Sequence, residues 1–442
     1  KNIFLDKILA KSKNLKNLDL EEVAFLLNCD NPDDTKKIFE TASFVKNEIY
    51  GKRIVLFAPL YFNNICGNDC KYCAFQKSNK ILERKALSYN EIKKQTEFLL
   101  KRGQKRILLV GSEAGAFGKK PIDYYLECID AVYSAECNGN KIRRVNINVA
   151  PLEVAEFKKL KKAGIGTYQI FQETYHEKTY AFMHPNGPKK DPNNRISAIP
   201  RAFEAGIDDV GMGVLFGLYD YKFEVLALLM HIKTLEEKYG IGPHTISVPR
   251  IEPAIGVDFE KNKKSYHFVK DAEFEKLVAI MRLAVPYVGL ILSTRETPEM
   301  RNKLLNLGIS QMSAESSVAP GGYETKNKNS QFVLNDDRPI EKIVETIMDY
   351  GFIPSFCTAC YRSNRTGKNF MDITKLGNIK GKCLLNSLIT LKEYILEFGD
   401  ENLNNKANKI LKKEIESLDK NDKEIVKKYF FELETGEKDK FI

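Results

Sequence analysis

Between residues 53 and 318 the chain repeats one pattern: a short run of apolar, β-branched or aromatic residues, then a longer stretch whose apolar positions return at helical spacing. Eight such runs are legible, at 53–62 (RIVLFAPLYF), 106–113, 143–151, 167–175, 209–218, 244–253, 289–296 and 311–318. Amphipathic segments such as 88–103, 152–164 and 273–287 fill the intervals. Strands and helices alternating in this way predict an α/β fold, a (β/α)8 TIM-type barrel in preference to an open doubly wound sheet. No GxGxxG follows the first run, which weakens a dinucleotide-binding reading. Residues 1–50 read as a helical N-terminal extension whose Asp-rich helix starts suit capping. Beyond about 320 come a polar Gly/Pro/Asn loop, a helix near 340–352, a cysteine-bearing segment and a Lys/Glu/Asn-rich helical tail. The expected division is 1–50, 51–320 and 321–442.

Polar residues gather where the runs end: Ser112 and Glu113, Asn146 and Asn148, Gln172 and Glu173, Arg250 and Glu252, Ser293 and Arg295, Ser313 and Glu315. A barrel brings those ends to one face, where its active sites form. Composition narrows the classes. The chain has 442 residues, 43% of them hydrophobic, enough for a large core. No apolar run reaches the roughly 18 residues of a membrane span, and the first residues are too charged for a signal-peptide core. The chain opens on Lys1, so a targeting segment could precede it; the expected location is the cytoplasm, or a hydrogen-producing organelle in a eukaryote. The net charge of +10 is spread among acidic residues along the whole chain, which argues against a nucleic-acid surface.

Nine cysteines cannot all pair, and six fall into two groups, a pattern of metal ligation in a reducing compartment. Cys29, Cys128 and Cys137 stand alone and read as small buried side chains. Cys66, Cys70 and Cys73 form CxxxCxxC just beyond the first strand. A structural zinc site normally closes with four Cys or His ligands, whereas a cubane iron-sulfur cluster held by three thiolates keeps one iron open. Structural zinc with a distant fourth ligand stays as the alternative. Cys357, Cys360 and Cys383 make a second set of three.

CxxxCxxC with an aromatic residue, Tyr72, before the last cysteine resembles the signature loop of the radical S-adenosylmethionine (SAM) enzymes. That resemblance implies a 4Fe–4S cluster whose open iron binds SAM, and a 5'-deoxyadenosyl radical. VGSEAG stands where the family carries a Gly-Gly-Glu-like turn, so Gly111, Ser112 and Glu113 become SAM-binding candidates, together with Tyr72 and the strand-end residues Asn148 and Glu173. QETYH (172–176), MHPNGPKKD (183–191), GPHTISVPR (242–250) and LILSTRE (290–296) are similar to the tyrosine-lyase branch, which splits L-tyrosine into p-cresol and dehydroglycine. Ser293 and Arg295, two residues apart on one strand face, suit a clamp for the substrate carboxylate; an ion pair of Arg295 with Glu296 or Glu315 is the alternative.

The second cysteine set resembles the iron-iron hydrogenase maturases of that branch and is lacking in the 2-iminoacetate synthases of thiazole synthesis. It implies an auxiliary iron-sulfur cluster with an additional iron, on which dehydroglycine becomes carbon monoxide and cyanide. That iron needs a nitrogen or oxygen ligand. His244, at the start of the sixth strand and so at the mouth opposite the radical site, is the candidate, with His184 and His231 as competitors. The C-terminal part is then an iron-sulfur module. A flavodoxin or ferredoxin as reductant and other hydrogenase maturation proteins are the implied partners. A thiazole-pathway lyase and an iron-sulfur scaffold remain the alternatives.

Overall fold

The computed structural model describes residues 2–325 and 329–442. Its centre is a closed barrel of eight parallel strands: β1 (Arg53–Tyr61), β2 (Arg106–Val110), β3 (Arg144–Asn148), β4 (Tyr168–Glu173), β5 (Val210–Val214), β6 (Thr245–Ser247), β7 (Gly289–Leu292) and β8 (Gln311–Ser313). Each pairs with the next, and the register Val55↔Gln311 to Phe57↔Ser313 joins β8 to β1 and closes the ring. All eight lie within the expected runs. The helices between them form because apolar residues recur on one face and polar residues cap the starts. Ser88, for example, exchanges hydrogen bonds with Glu91 at the head of helix Tyr89–Leu100.

Helices Asn2–Lys13, Leu20–Leu27 and Pro32–Tyr50 precede β1. Asp19 caps the second in a reciprocal pair with Glu22, as its sequence suggests. The third is capped by Asn31, whose side chain accepts from Asp33 N and Asp34 N, so the aspartates there occupy the first turn instead. This helix packs on Asp271–Ala284 and buries Lys46, whose Nζ has no hydrogen-bond partner and lies 4.1 Å from the centre of the Phe352 ring. Burial, reinforced by Arg282 and Arg53, drives the Lys46 pKa well down. The unfolded chain then takes up a proton that the folded one refuses, and stability rises with pH toward the ordinary lysine value of 10.5. Lys46→Met should therefore stabilise the fold by about 1–3 kcal/mol near neutrality, with the advantage shrinking as pH approaches 10.5. Thermal or denaturant unfolding at several pH values checks both the sign and the trend.

A ninth strand, β9 (Ile353–Ser355), was not evident in the sequence. It is three residues long and is fixed by tertiary pairing with the first residues of β1, Arg53↔Ile353 to Val55↔Ser355. That pairing delivers the following chain to the N-terminal end of the barrel. Helix Ile379–Phe398 packs on β9 and on Pro32–Tyr50, and helices Glu401–Glu416 and Lys420–Glu434 complete the C-terminal layer. The polar loop expected after 320 includes residues 326–328, which lie outside the described residues. Among the described residues no helix is long and apolar enough to cross a membrane.

Candidate active sites at the two ends of the barrel

Beyond the C-terminal end of β1, the loop carrying Cys66, Cys70 and Cys73 is held mainly by its backbone. Lys71 N donates to Met183 O (3.0 Å), Asp69 N to Asn186 O (3.3 Å) and Ala74 N to Gln331 O (3.2 Å). Arg84 gathers the loop from within, donating to the carbonyls of Asn64, Phe75, Gln76 and Asn79. Burial pushes the Cys70 thiol far up and that of Cys73 to about 11. The three sulfurs line one cavity of about 210 Å³ that runs down into the barrel.

Tyr72, Gly111, Ser112, Glu113, Asn148, Glu173, Ser293 and Arg295 line the same cavity, as does Ser313, whereas the strand-end residues Asn146, Gln172, Arg250, Glu252 and Glu315 do not. Gly111 has no room for a side chain, since a Cβ there would lie 2.0 Å from Phe62. Ser112 is tied to Asn63, its N donating to Oδ1 (2.6 Å) and its Oγ to the carbonyl (3.1 Å). Tyr72 is anchored through its hydroxyl to His184 Nε2 at 2.8 Å. Asn148 accepts from Gly111 N through its carbonyl (3.1 Å). Glu113 accepts from Arg195 Nη1 at 2.8 Å and Asn68 Nδ2 at 2.7 Å. Glu173 pairs with Lys189 at 2.6 Å and stands 3.8 Å from Arg195. Burial works to raise both carboxyls, but these cations outweigh it and hold each below its ordinary value. Glu173 also adopts φ +70° where the register of β4 shifts, a strained conformation of the kind kept at functional sites.

Arg295 is half-buried among the cavity walls, its guanidinium carbon 3.4 Å from the centre of the Phe332 ring. The alternative ion pairs do not form: Glu296 is taken by Arg250, and Glu315 by Arg102 at 3.0 Å. Among the described residues no carboxylate stands within 4 Å of the Arg295 guanidinium nitrogens. With Ser293 beside it, Arg295 can offer its donors to an anionic group in the cavity.

At the N-terminal end of the barrel, Cys357 and Cys360 follow β9 while Cys383 comes from helix Ile379–Phe398. They line a second cavity, about 30 Å³, with Arg53, Arg106 and His244. Arg106 ties the cysteine segment to the barrel, donating to Cys357 O (2.8 Å) and Gln311 Oε1 (3.2 Å). Burial lifts the Cys383 thiol to about 12, with Arg53 opposing. His244 precedes β6 and lies on the Phe370 ring, centroids 3.9 Å apart. Burial lowers its pKa to about 4, so the imidazole is neutral near pH 7 and able to ligate a metal. The competitors are elsewhere: both ring nitrogens of His184 are occupied, by Tyr72 OH and Tyr180 O, and His231 Nδ1 meets Tyr175 OH at 2.8 Å.

The two cavities come close inside the barrel. Gln311 lines the lower one and Ser313, two residues along the same face of β8, the upper, a separation of ~7 Å along a strand. Gln169 Nε2 donates to Ser247 Oγ (2.7 Å) near this level, and Gly211 and Gly289 supply no side chain there. Among the described residues no three His, Cys, Asp or Glu side chains are gathered closely enough to hold a single ion. Three thiolates per cavity is the number a cubane takes when one of its four irons is left open.

Asn68, Arg84, Lys189 and Arg195 were missed as site residues. Lys189 falls within the MHPNGPKKD stretch, but Arg195 has no motif and reaches Glu113 only because the segment 188–196 folds over the cavity mouth.

Comparison with known proteins agrees with this geometry. The Radical SAM superfamily model matches residues 60–230, and that of the Biotin and Thiamin Synthesis associated domain matches 247–353. The 2-iminoacetate synthase of Escherichia coli (strain K12) is 30% identical over 346 residues, 78% of this chain and 88% of that protein. A crystal structure of HydG, a maturase of the [FeFe]-hydrogenase, superposes with a TM-score of 0.96 at 44% identity, covering 100% of this chain and 96% of the other. HydG from Carboxydothermus hydrogenoformans gives 0.83 at 41% identity, over 96% and 93% of the two chains. Barrel, three-cysteine loop and full-length likeness agree: the chain belongs to the HydG family of radical SAM lyases.

Proposed function

We propose that this enzyme cleaves L-tyrosine to p-cresol and dehydroglycine at the upper cavity and converts dehydroglycine to carbon monoxide and cyanide at the lower one, for assembly of the iron-iron hydrogenase active site. The observation that carries this reading is the second three-cysteine cavity, whose lining residue Gln311 stands two residues along β8 from Ser313 of the first. In this reading residues 51–320 form the radical barrel, 321–442 hold the auxiliary cluster and 1–50 are a helical extension.

Cys66, Cys70 and Cys73 would hold a 4Fe–4S cluster, which when bound would supply the reducing electron for cleavage of SAM. Around it, Glu113, Arg195, Glu173 and Lys189 present acceptors and donors side by side, the complement of a zwitterionic methionine end. Ser293 and Arg295 clamp the tyrosine carboxylate, with the Phe332 ring lying against the guanidinium. Between the cavities Gln169, Ser247, Thr245 and Gln311 fill the space beside Gly211 and Gly289, so a small fragment would pass only as these polar side chains move aside. His244 supplies the neutral nitrogen for the additional iron of the auxiliary cluster. An acidic flavodoxin or ferredoxin as reductant suits the net charge of +10, and other maturation proteins take up the product.

A tyrosine lyase ending at dehydroglycine is the second reading, favoured by the likeness to 2-iminoacetate synthase. Trapping of carbon monoxide by deoxyhaemoglobin decides: p-cresol without carbon monoxide from fully reconstituted protein overturns the first reading. Absence of tyrosine-dependent 5'-deoxyadenosine would leave only a cluster scaffold. The clamp has its own test. Loss of a charge-assisted, buried hydrogen-bond pair costs about 1.5–3 kcal/mol, so Arg295→Lys should raise the KM for tyrosine roughly tenfold to a hundredfold. An unchanged KM would remove Arg295 from the substrate site.

A further inference from the structure

The lower cavity is backed by a carboxylate that no step above uses. Asp209, immediately before β5, is 2% exposed. Its Oδ2 lies 3.2 Å from His244 Nδ1 and 3.5 Å from Arg144 Nη2, and neither carboxylate oxygen closes an aligned hydrogen bond. Arg144 is itself covered, its guanidinium carbon 2.9 Å from the centre of the Tyr361 ring. The imidazole of His244 cannot turn freely, because Phe370 lies flat on it at 3.9 Å with Tyr361 stacked at 5.7 Å. A buried ring held in this way has one nitrogen facing Asp209 and only Nε2 left for any other partner.

We propose that Asp209 is a positioning residue for the additional iron: it accepts the Nδ1 proton of His244, fixing the tautomer in which Nε2 is bare and holding that nitrogen toward the cavity. This rests on the reading of His244 as the iron ligand. Carboxylates that accept from the far nitrogen of a metal-bound histidine fix its orientation and raise its basicity. No water competes as acceptor at a site this buried. The rival role is counter-ion to Arg144, which would leave the tautomer of His244 unconstrained.

The test uses the full chain with both clusters reconstituted and the last iron added as isotopically enriched ferrous ion, counted by Mössbauer spectroscopy. Asp209→Asn should weaken retention of that iron about 10- to 100-fold, with partial recovery in Asp209→Glu, while His244→Ala should lose it altogether. In protein labelled with 15N-histidine, before the last iron is added, the wild type should show Nε2 unprotonated and Asp209→Asn should show the other tautomer. Wild-type retention in Asp209→Asn beside loss in His244→Ala overturns the role of Asp209 alone. Wild-type retention in His244→Ala overturns the ligand reading beneath it. Equal iron loss in Arg144→Gln with the tautomer unmoved in Asp209→Asn assigns the carboxylate to Arg144 and also overturns the proposal. Should Asp209→Asn fail to take up its first cluster, the wild-type spectrum decides, since a proton on Nε2 in the iron-free site is incompatible with the proposed role.

Discussion

Replacement of Cys66, Cys70 or Cys73 by alanine should end the formation of both 5'-deoxyadenosine and p-cresol, with no residual turnover. Each sulfur is expected to serve a different iron, and among the described residues the three ungrouped cysteines belong to other elements: Cys128 lies in helix Pro121–Ser134, Cys137 just after it and Cys29 beyond helix Leu20–Leu27. Loss of function here need not mean loss of fold. The loop is tied by backbone hydrogen bonds to Met183, Asn186 and Gln331 and by the four carbonyls on Arg84, none of which involves a cysteine side chain. The unfolding temperature of the cluster-free variant should match that of the cluster-free wild type. Liquid chromatography of the two products after reduction with excess SAM and tyrosine checks the first expectation; ordinary turnover in any of the three variants would overturn the radical assignment.

The double replacement Cys357→Ala, Cys360→Ala should have the opposite profile. Both residues follow β9 at the N-terminal end of the barrel, while the SAM loop follows β1 at the other. SAM cleavage and p-cresol should persist near wild-type levels, and carbon monoxide should fall below detection. The pair also borders the hydrogen bond from Arg106 to Cys357 O, which is a backbone contact and survives the substitution. If all products fell together, the division of labour between the cavities would be wrong. If carbon monoxide persisted, the second cysteine set would have no part in its formation.

The strands were legible because each is a compact apolar run bounded by helices of clear period, and closure follows from having eight of them. β9 was not, because three residues carry no periodicity and its place depends on the start of β1. The same division applies to the sites. Cysteine spacing and polar strand ends are local and could be read directly; the structure gathers the six grouped cysteines in two cavities with about half of the strand-end residues, while Arg250 and Glu315 are spent on ion pairs outside them. Arg195, Lys189 and Asn68 could not be read, since each matters only for what it meets: a carboxylate on β4 or in the turn after β2. His244 could be singled out over His184 and His231 from its place at the start of the sixth strand, but what the ring nitrogens of the other two meet is recorded by no spacing. Arg295 shows the reverse case, in which the sequence offered two plausible carboxylates and the fold had given both to other arginines.

The thinness of the layer at Gln311 and Ser313 has a kinetic consequence. One molecule confined to a chamber of this size is present, as the far side sees it, at an effective concentration on the order of molar. On the proposed reading, a reactive fragment set free there has two exits, the packed layer toward the lower chamber and the mouth of the upper one, and the yield of capture is set by the ratio of the two rates. Tightness of coupling between the two ends is then a property of the wall, set by which side chains line two turns of the pleat, and not of how strongly either end binds its guest.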